Sequence, residues 1–271
     1  MTFAHKLRTR WQQANTLLCV GLDPDPAKFP DRFVDDDDAL FAFCRDIADA
    51  TAEYACAFKP QIAYFAAHND GEAQLQRLIA HINAEHPDVP VILDAKRGDI
   101  GSTAQQYACE AFERFGADAV TLNPYMGKDS ADPFLAYNDR GCVFLCHTSN
   151  PGARDFQELL IDGAPLYQHV ARSIAQDWNG DGNCALVVGA TFPEELKIIR
   201  GIVGNMPLLI PGVGAQGGDV EAVVKNGQTT DSTGLMINSS RGILYASRGA
   251  DYAEAAATAA RELRDEINRY R

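Results

Sequence analysis

The segment Val91-Ile92-Leu93-Asp94-Ala95-Lys96-Arg97-Gly98-Asp99 sets a carboxylate, an ammonium and a second carboxylate close together at the end of an apolar run. Residues two apart on a strand share a face, so Asp94 and Lys96 are expected to point the same way. Carboxylates around a lysine keep it charged and aim its proton. Such a group can stabilise developing negative charge or deliver a proton. An isolated Asp-x-Lys reads first as a structural ion pair at a strand end. Here Lys59, in Phe58-Lys59-Pro60, ends the preceding apolar run. A Lys-Asp-Lys-Asp array costs more desolvation than a purely stabilising pair warrants. Chemistry is the better reading.

A second signal is Pro211-Gly212-Val213-Gly214-Ala215-Gln216-Gly217-Gly218-Asp219, which follows an apolar run and opens a helical pattern. Gly212, Gly214 and Gly217 satisfy GxGxxG, but a dinucleotide fingerprint belongs in the first βα unit of its domain. This one comes late in the chain. Its place fits a phosphate site made of loop N–H groups and a helix N-terminus after a seventh barrel strand. Arg241, beyond the eighth run, supplies a matching cation. A phosphate monoester is the expected ligand.

The elements that must position these groups are legible as eight short apolar runs: 17–23, 55–61, 89–96, 119–124, 141–150, 185–191, 207–214 and 234–241. Several are nearly continuous in Val, Ile and Leu, as buried parallel strands are. Between them lie apolar residues at helical spacing over 38–54, 74–85, 103–115, 167–178, 193–199, 220–225 and 252–264, with Asp37 or Asp38 available to cap the first. Eight alternating units in 271 residues predict an α/β fold, a (β/α)8 TIM barrel, as a single domain over 1–271. A doubly wound open sheet is the competing arrangement. In a barrel, Asp23, Lys59, Asp94, Lys96, Asn123, Ser149, Thr191, the 211–218 loop and Arg241 converge on one mouth.

The composition, 46% hydrophobic and 23% charged, is that of a globular protein. A formal net charge of −13 argues against nucleic acid as a partner. The seven cysteines form no CxxC and mostly sit in apolar runs, which reads as reduced, buried thiols; a metal site from Cys142 and Cys146 is disfavoured. Residues 1–13 lack the apolar core of a signal peptide, and no stretch approaches a membrane span, so a cytoplasmic protein is expected. The run Asp35–Asp38 reads as a solvated lead-in to a helix, and 179–183 as a turn rather than a calcium loop.

The string Leu93-Asp94-Ala95-Lys96-Arg97-Gly98-Asp99-Ile100-Gly101-Ser102-Thr103 closely resembles the signature of the orotidine 5′-phosphate decarboxylase family, in the Arg-Gly form of its longer bacterial (type 2) members. The resemblance extends to Gly21-Leu22-Asp23-Pro24, Phe58-Lys59-Pro60-Gln61, Thr148-Ser149-Asn150-Pro151-Gly152, the 211–219 loop and Ser240-Arg241. It implies decarboxylation of orotidine 5′-monophosphate to UMP without metal or organic cofactor. It implies Lys96 as proton donor to C6, Asp94 against the substrate carboxylate, and Lys59 with Asp23 on the ribose hydroxyls. Ser149 would meet the pyrimidine amide, and Gln216 with Arg241 the phosphate. Asp99, with Thr103, would reach into a partner's site in a homodimer.

Around that core, Ser149 is preferred to Thr148 for the pyrimidine, and His147 is expected to be buried and hydrogen-bonded rather than a general base. Asn123 fits a ligand contact or a strand-end cap equally. The 151–165 connection exceeds the usual βα length and is expected to be a lid rather than a disordered insertion. Two other functions compete: a metal-dependent phosphosugar decarboxylase or isomerase, and a non-catalytic nucleotide sensor.

Overall fold

The computed structural model describes residues 1–213 and 218–271. All eight apolar runs form parallel strands: β1 (Leu18–Leu22), β2 (Ala57–Pro60), β3 (Ile92–Arg97), β4 (Ala119–Leu122), β5 (Gly141–His147), β6 (Cys184–Val188), β7 (Leu208–Pro211) and β8 (Leu235–Ser239). They pair in the order β2-β1-β8-β7-β6-β5-β4-β3. Two parallel bridges, Phe58 to Val91 and Gln61 to Asp94, join the ends of that series and close the barrel. The open-sheet alternative is excluded by this closure.

Strands such as β1, β4 and β6 are buried at every residue, because the lumen packs one side and the helices the other. The expected helices are present, for example Ala39–Thr51, Gly71–Glu85 and Tyr252–Asn268. Asp38 stands at the first N-cap, but its side chain makes no capping bond and pairs instead with Arg77 at 2.6 Å. The patterns over 103–115 and 167–178 each finish in a π-helical turn, Glu110–Arg114 and Ile174–Trp178.

The N-terminal stretch, read only as mixed in polarity, is a helix over Phe3–Gln13, capped by Thr2. Phe3, Leu7 and Trp11, four apart, are buried, and the Trp11 indole N–H donates to the Leu235 carbonyl at 2.8 Å. Gly141 opens β5 where a Cβ would sit 2.4 Å from the Phe3 ring. This helix therefore seals the end of the barrel where the strands begin, leaving the other end for the site.

Helix Lys128–Leu135 was hidden by Pro133 in its interior, a residue that removes a helical hydrogen bond. The 151–165 connection holds a short 3-10 turn, Pro151–Asp155, and a two-residue hairpin pairing Leu160–Ile161 with Ala164–Pro165.

Candidate active site

The β3 end is built around an irregularity. Its pairing with β4 slips between Leu93 and Arg97, and Lys96 takes a left-handed backbone conformation, φ 47°. For a lysine that conformation costs on the order of 1–2 kcal/mol. The slip strips two N–H groups of their ladder partners, and Thr121 of β4 replaces them. Its Oγ1 accepts from the N–H of Ala95 at 3.0 Å and of Lys96 at 2.9 Å. The same hydroxyl donates to Asp94 Oδ1 at 2.9 Å. Strand alternation thus led to the right contact for an incomplete reason: a bulge pinned by Thr121, not a regular pleat, swings Lys96 back over Asp94.

Asp94 is the hub. Its Oδ1 also accepts from Lys96 Nζ at 2.6 Å, and its Oδ2 from Lys59 Nζ at 2.8 Å. Burial alone would raise the Asp94 carboxyl, yet Lys59 and Lys96 hold it well below the usual carboxylate range. Burial alone would lower the Lys59 ammonium, yet Asp94 and Asp23 hold it above its ordinary value. Asp94 and Lys59 therefore hold each other in their charged forms. Asp23, one residue past β1, lies 4.0 Å from Lys59 Nζ, and its buried Oδ1 has no hydrogen-bond partner among the described residues.

Lys59, Asp94, Lys96 and Thr121 line a cavity of ≈ 410 Å³ together with Thr148, Ser149, Asn150, Gln157, Leu145, Val187, Leu209 and Pro211. Charged groups lie on one wall and aliphatic ones on another, which suits a flat polar ring. The Thr148 hydroxyl is engaged: it donates to Asn150 Oδ1 at 2.7 Å and accepts from the Gln157 amide at 2.9 Å. Gln157 also accepts from the Thr148 N–H at 2.8 Å, tying the 151–165 connection to the site.

Of the residues expected at the mouth, Asp23, Lys59, Asp94, Lys96 and Ser149 come together. Arg241 begins the short helix Arg241–Leu244 just beyond β8, is exposed, and forms no ion pair among the described residues. Gln216 lies outside the described residues. The helix after the glycine loop, Val220–Gly227, is capped by Asp219, which accepts from the N–H of Glu221 at 2.9 Å and Ala222 at 3.4 Å. Those two donors are not open to an anion, contrary to the expectation of a free helix N-terminus. A second cavity of ≈ 400 Å³ has Val213, Gly218, Asp219 and Glu266 in its described lining.

Asp99 is half-buried, forms no ion pair among the described residues, and its Oδ1 accepts from the adjacent Ile100 N–H at 2.8 Å. Thr103 is exposed on helix Gly101–Cys109. Beside them Ile100, Tyr125 and Met126 are exposed apolar residues at 54%, 85% and 44%. Asn123 serves as a cap, accepting from the Tyr125 N–H at 3.1 Å. His147 is buried as expected but not well hydrogen-bonded: it packs between Tyr167 and Phe192, and Glu158 stands 3.5 Å from Nε2. Burial pushes its imidazole below its ordinary value.

Sequence reasoning missed Thr121, Gln157 and Asn238, while Ser240 entered only as the neighbour of Arg241. Thr121 was detectable as the one hydroxyl inside Ala119–Leu122. Asn238 is a buried amide in β8 whose Oδ1 has no hydrogen-bond partner among the described residues, and neither has Ser240 Oγ. Both press on Gly21, where a Cβ would lie 2.9 Å from Ser240 Cβ.

A closed parallel barrel with a hydrogen-bonded Lys-Asp-Lys cluster at the strand C-termini is an enzyme architecture. The family model "Orotidine 5′-phosphate decarboxylase / HUMPS family" matches residues 16–257. The chain is 63% identical over its full length to the full-length orotidine 5′-phosphate decarboxylase of Azoarcus sp. (strain BH72), and 62% identical, again over both full lengths, to that of Dechloromonas aromatica. The structure of Leishmania donovani OMP decarboxylase superposes with a TM-score of 0.86 at 40% identity, covering 100% of this chain and 99% of that one. The chain belongs to the orotidine 5′-phosphate decarboxylase / HUMPS family.

Proposed function

We propose that this chain is a single-domain carboxy-lyase over 1–271 that converts orotidine 5′-monophosphate and a proton to UMP and carbon dioxide, the last step of de novo pyrimidine synthesis. The observation that carries the reading is the Asp94 carboxylate clasped between Lys59 and Lys96 on the cavity wall. Breaking the bond from C6 to the carboxylate leaves an electron pair in the ring plane, where no neighbouring π system spreads it. An ammonium already in place stabilises that charge without solvent reorganisation. Lys96, the more exposed of the two lysines and the one held over the cavity by the bulge, then gives its proton to C6.

In this reading Asp94 lies against the substrate carboxylate, while Lys59 and the unpartnered Asp23 Oδ1 take the ribose hydroxyls. Ser149, in the cavity lining beside Thr148, meets the pyrimidine amide. Gln216 and Arg241 hold the phosphate, whose binding energy helps to order the charged array. The reaction needs no metal and no organic cofactor, since the lysines supply the positive charge. The enzyme works as a cytoplasmic homodimer in which Asp99 and Thr103 complete the partner's site. The exposed apolar side chains of Ile100, Tyr125 and Met126 near Asp99 in the chain's fold support that arrangement.

The deciding measurement is UMP formation from orotidine 5′-monophosphate by the native chain and by Lys96→Ala. The variant is expected to lose about 10³-fold or more in kcat while keeping its circular dichroism and its affinity for UMP. Undiminished turnover would remove Lys96 from the donor role. Abolition of native turnover by EDTA would favour a metal-dependent phosphosugar enzyme, and UMP binding without carbon dioxide release a sensor. Mixed Asp99→Ala and Lys96→Ala proteins are expected to regain activity as heterodimers.

A further inference from the structure

At the opposite end of the barrel from the mouth, three side chains converge that have no part in this chemistry. Asp49 lies in the last turn of helix Ala39–Thr51, His81 near the end of helix Gly71–Glu85, and His86 is that helix's C-cap. Both imidazole Nε2 atoms point at one oxygen, Asp49 Oδ1, from 2.8 Å (His81) and 2.7 Å (His86). All three donor atoms lie within 4.8 Å of one another.

We propose that Asp49, His81 and His86 form a binding site for a divalent transition-metal ion of the zinc class, pinning two neighbouring outer helices together. The donor set is right for such an ion: two imidazoles and one carboxylate, which suit zinc, nickel or copper far better than magnesium or calcium. The geometry needs little change. Ligands about 2.0–2.2 Å from a tetrahedral zinc stand ~3.4 Å apart, so the carboxylate oxygen, now 2.8 and 2.7 Å from the two nitrogens, must draw back by roughly 0.6–0.7 Å, all three donor atoms already lying within 4.8 Å of one another.

The surroundings favour a cation. Both helices end here, and their C-terminal carbonyls carry partial negative charge toward the same point. The cation nearest along the helix, Arg45, is committed to Asp46 at 2.6 Å and does not satisfy Asp49. His81 and His86 side chains are 22% and 21% exposed and that of Asp49 is 42% exposed. The ligands are thus held by packed helices, with an open side for one or two waters. His81 is further fixed edge-on against Phe41, one helix away. The position, where strands begin rather than end, assigns the ion to stability and not to turnover.

The test uses full-length protein stripped with EDTA and then dialysed free of chelator, titrated with ZnCl2 against a chromophoric competitor and with CoCl2 by visible absorption. One equivalent of zinc per chain is expected, with cobalt d–d bands of a nitrogen–oxygen site and a thermal midpoint raised by about 5 °C or more at saturating zinc. His81→Gln and His86→Gln retain an N–H donor for Asp49, so the fold is kept, but each should bind at least about tenfold more weakly. The double variant should show neither the bands nor the thermal shift, with turnover of orotidine 5′-monophosphate unchanged. Equal zinc binding by native and double-variant protein, or no saturable binding by the native chain, overturns the proposal.

Discussion

Asp94→Asn isolates the charge at the centre of the site while keeping its shape. The Asn amide can still accept from Thr121 and one lysine, so the loss is chiefly electrostatic. Lys59 Nζ, with its side chain only 6% exposed, would then face no carboxylate nearer than Asp23 at 4.0 Å. Removing one member of a buried pair costs about 3–5 kcal/mol. Asp23 remains as a partial substitute, and Lys96, whose side chain is 47% exposed, is screened by water and adds little. A loss of about 3 kcal/mol at pH 7 is therefore expected, or roughly 6–12 °C in thermal midpoint.

The pH dependence of that loss gives the sharper test. In the native chain the Lys59 pKa is held above its unfolded value, so its contribution is complete below about pH 10.4 and is lost as pH rises through the folded value. In the variant, burial is opposed only by Asp23, and the folded pKa falls below the unfolded one. Stability then rises with pH between the two values. Urea unfolding of both proteins from pH 7 to pH 10 should show the curves converging, with the m-value unchanged. A deficit under about 1 kcal/mol at pH 7, or parallel curves throughout, would refute the account of Asp94 as counter-ion to a buried ammonium.

Thr121→Val leaves the Ala95 and Lys96 N–H groups without an acceptor; it should cost about 1–3 kcal/mol and lower kcat with KM little changed, and unaltered kcat would show that the bulge holds Lys96 unaided. Gly189→Ala would drive a methyl to 2.8–2.9 Å from Ser149, so KM for the nucleotide should rise several-fold with the fold intact by circular dichroism; an unchanged KM would separate Ser149 from binding. His147 is favoured neutral when folded, so native stability should be full above pH 6.5 and fall by up to about 1.4 kcal/mol per pH unit below it, a slope that urea titrations of His147→Phe should lack.

Most of the barrel was legible because buried parallel strands are continuous apolar runs, and all eight were placed within a few residues of their observed limits. What escaped were elements whose local signal opposes their state, such as the helix around Pro133, or whose role depends on distant packing, such as the Phe3–Gln13 plug. At the site, charge and spacing were enough to single out Asp94, Lys96 and Lys59. The bulge was not, because a left-handed lysine has no sequence signature. Nor were Gln157 and Asn238, neutral amides whose significance lies only in what they face. The bond from the Ile100 N–H to Asp99 is a property of the loop conformation that spacing alone does not give.

The backbone at Lys96 has an evolutionary corollary. Glycine or asparagine would settle into that left-handed kink more comfortably than lysine does, gaining on the order of 1 kcal/mol of robustness while discarding the ammonium. Selection for durability alone would therefore drift away from lysine at this position, and under the proton-donor role proposed for Lys96 selection for turnover would hold it there. On that proposal, libraries screened solely for heat tolerance should accumulate changes at residue 96 together with lost turnover.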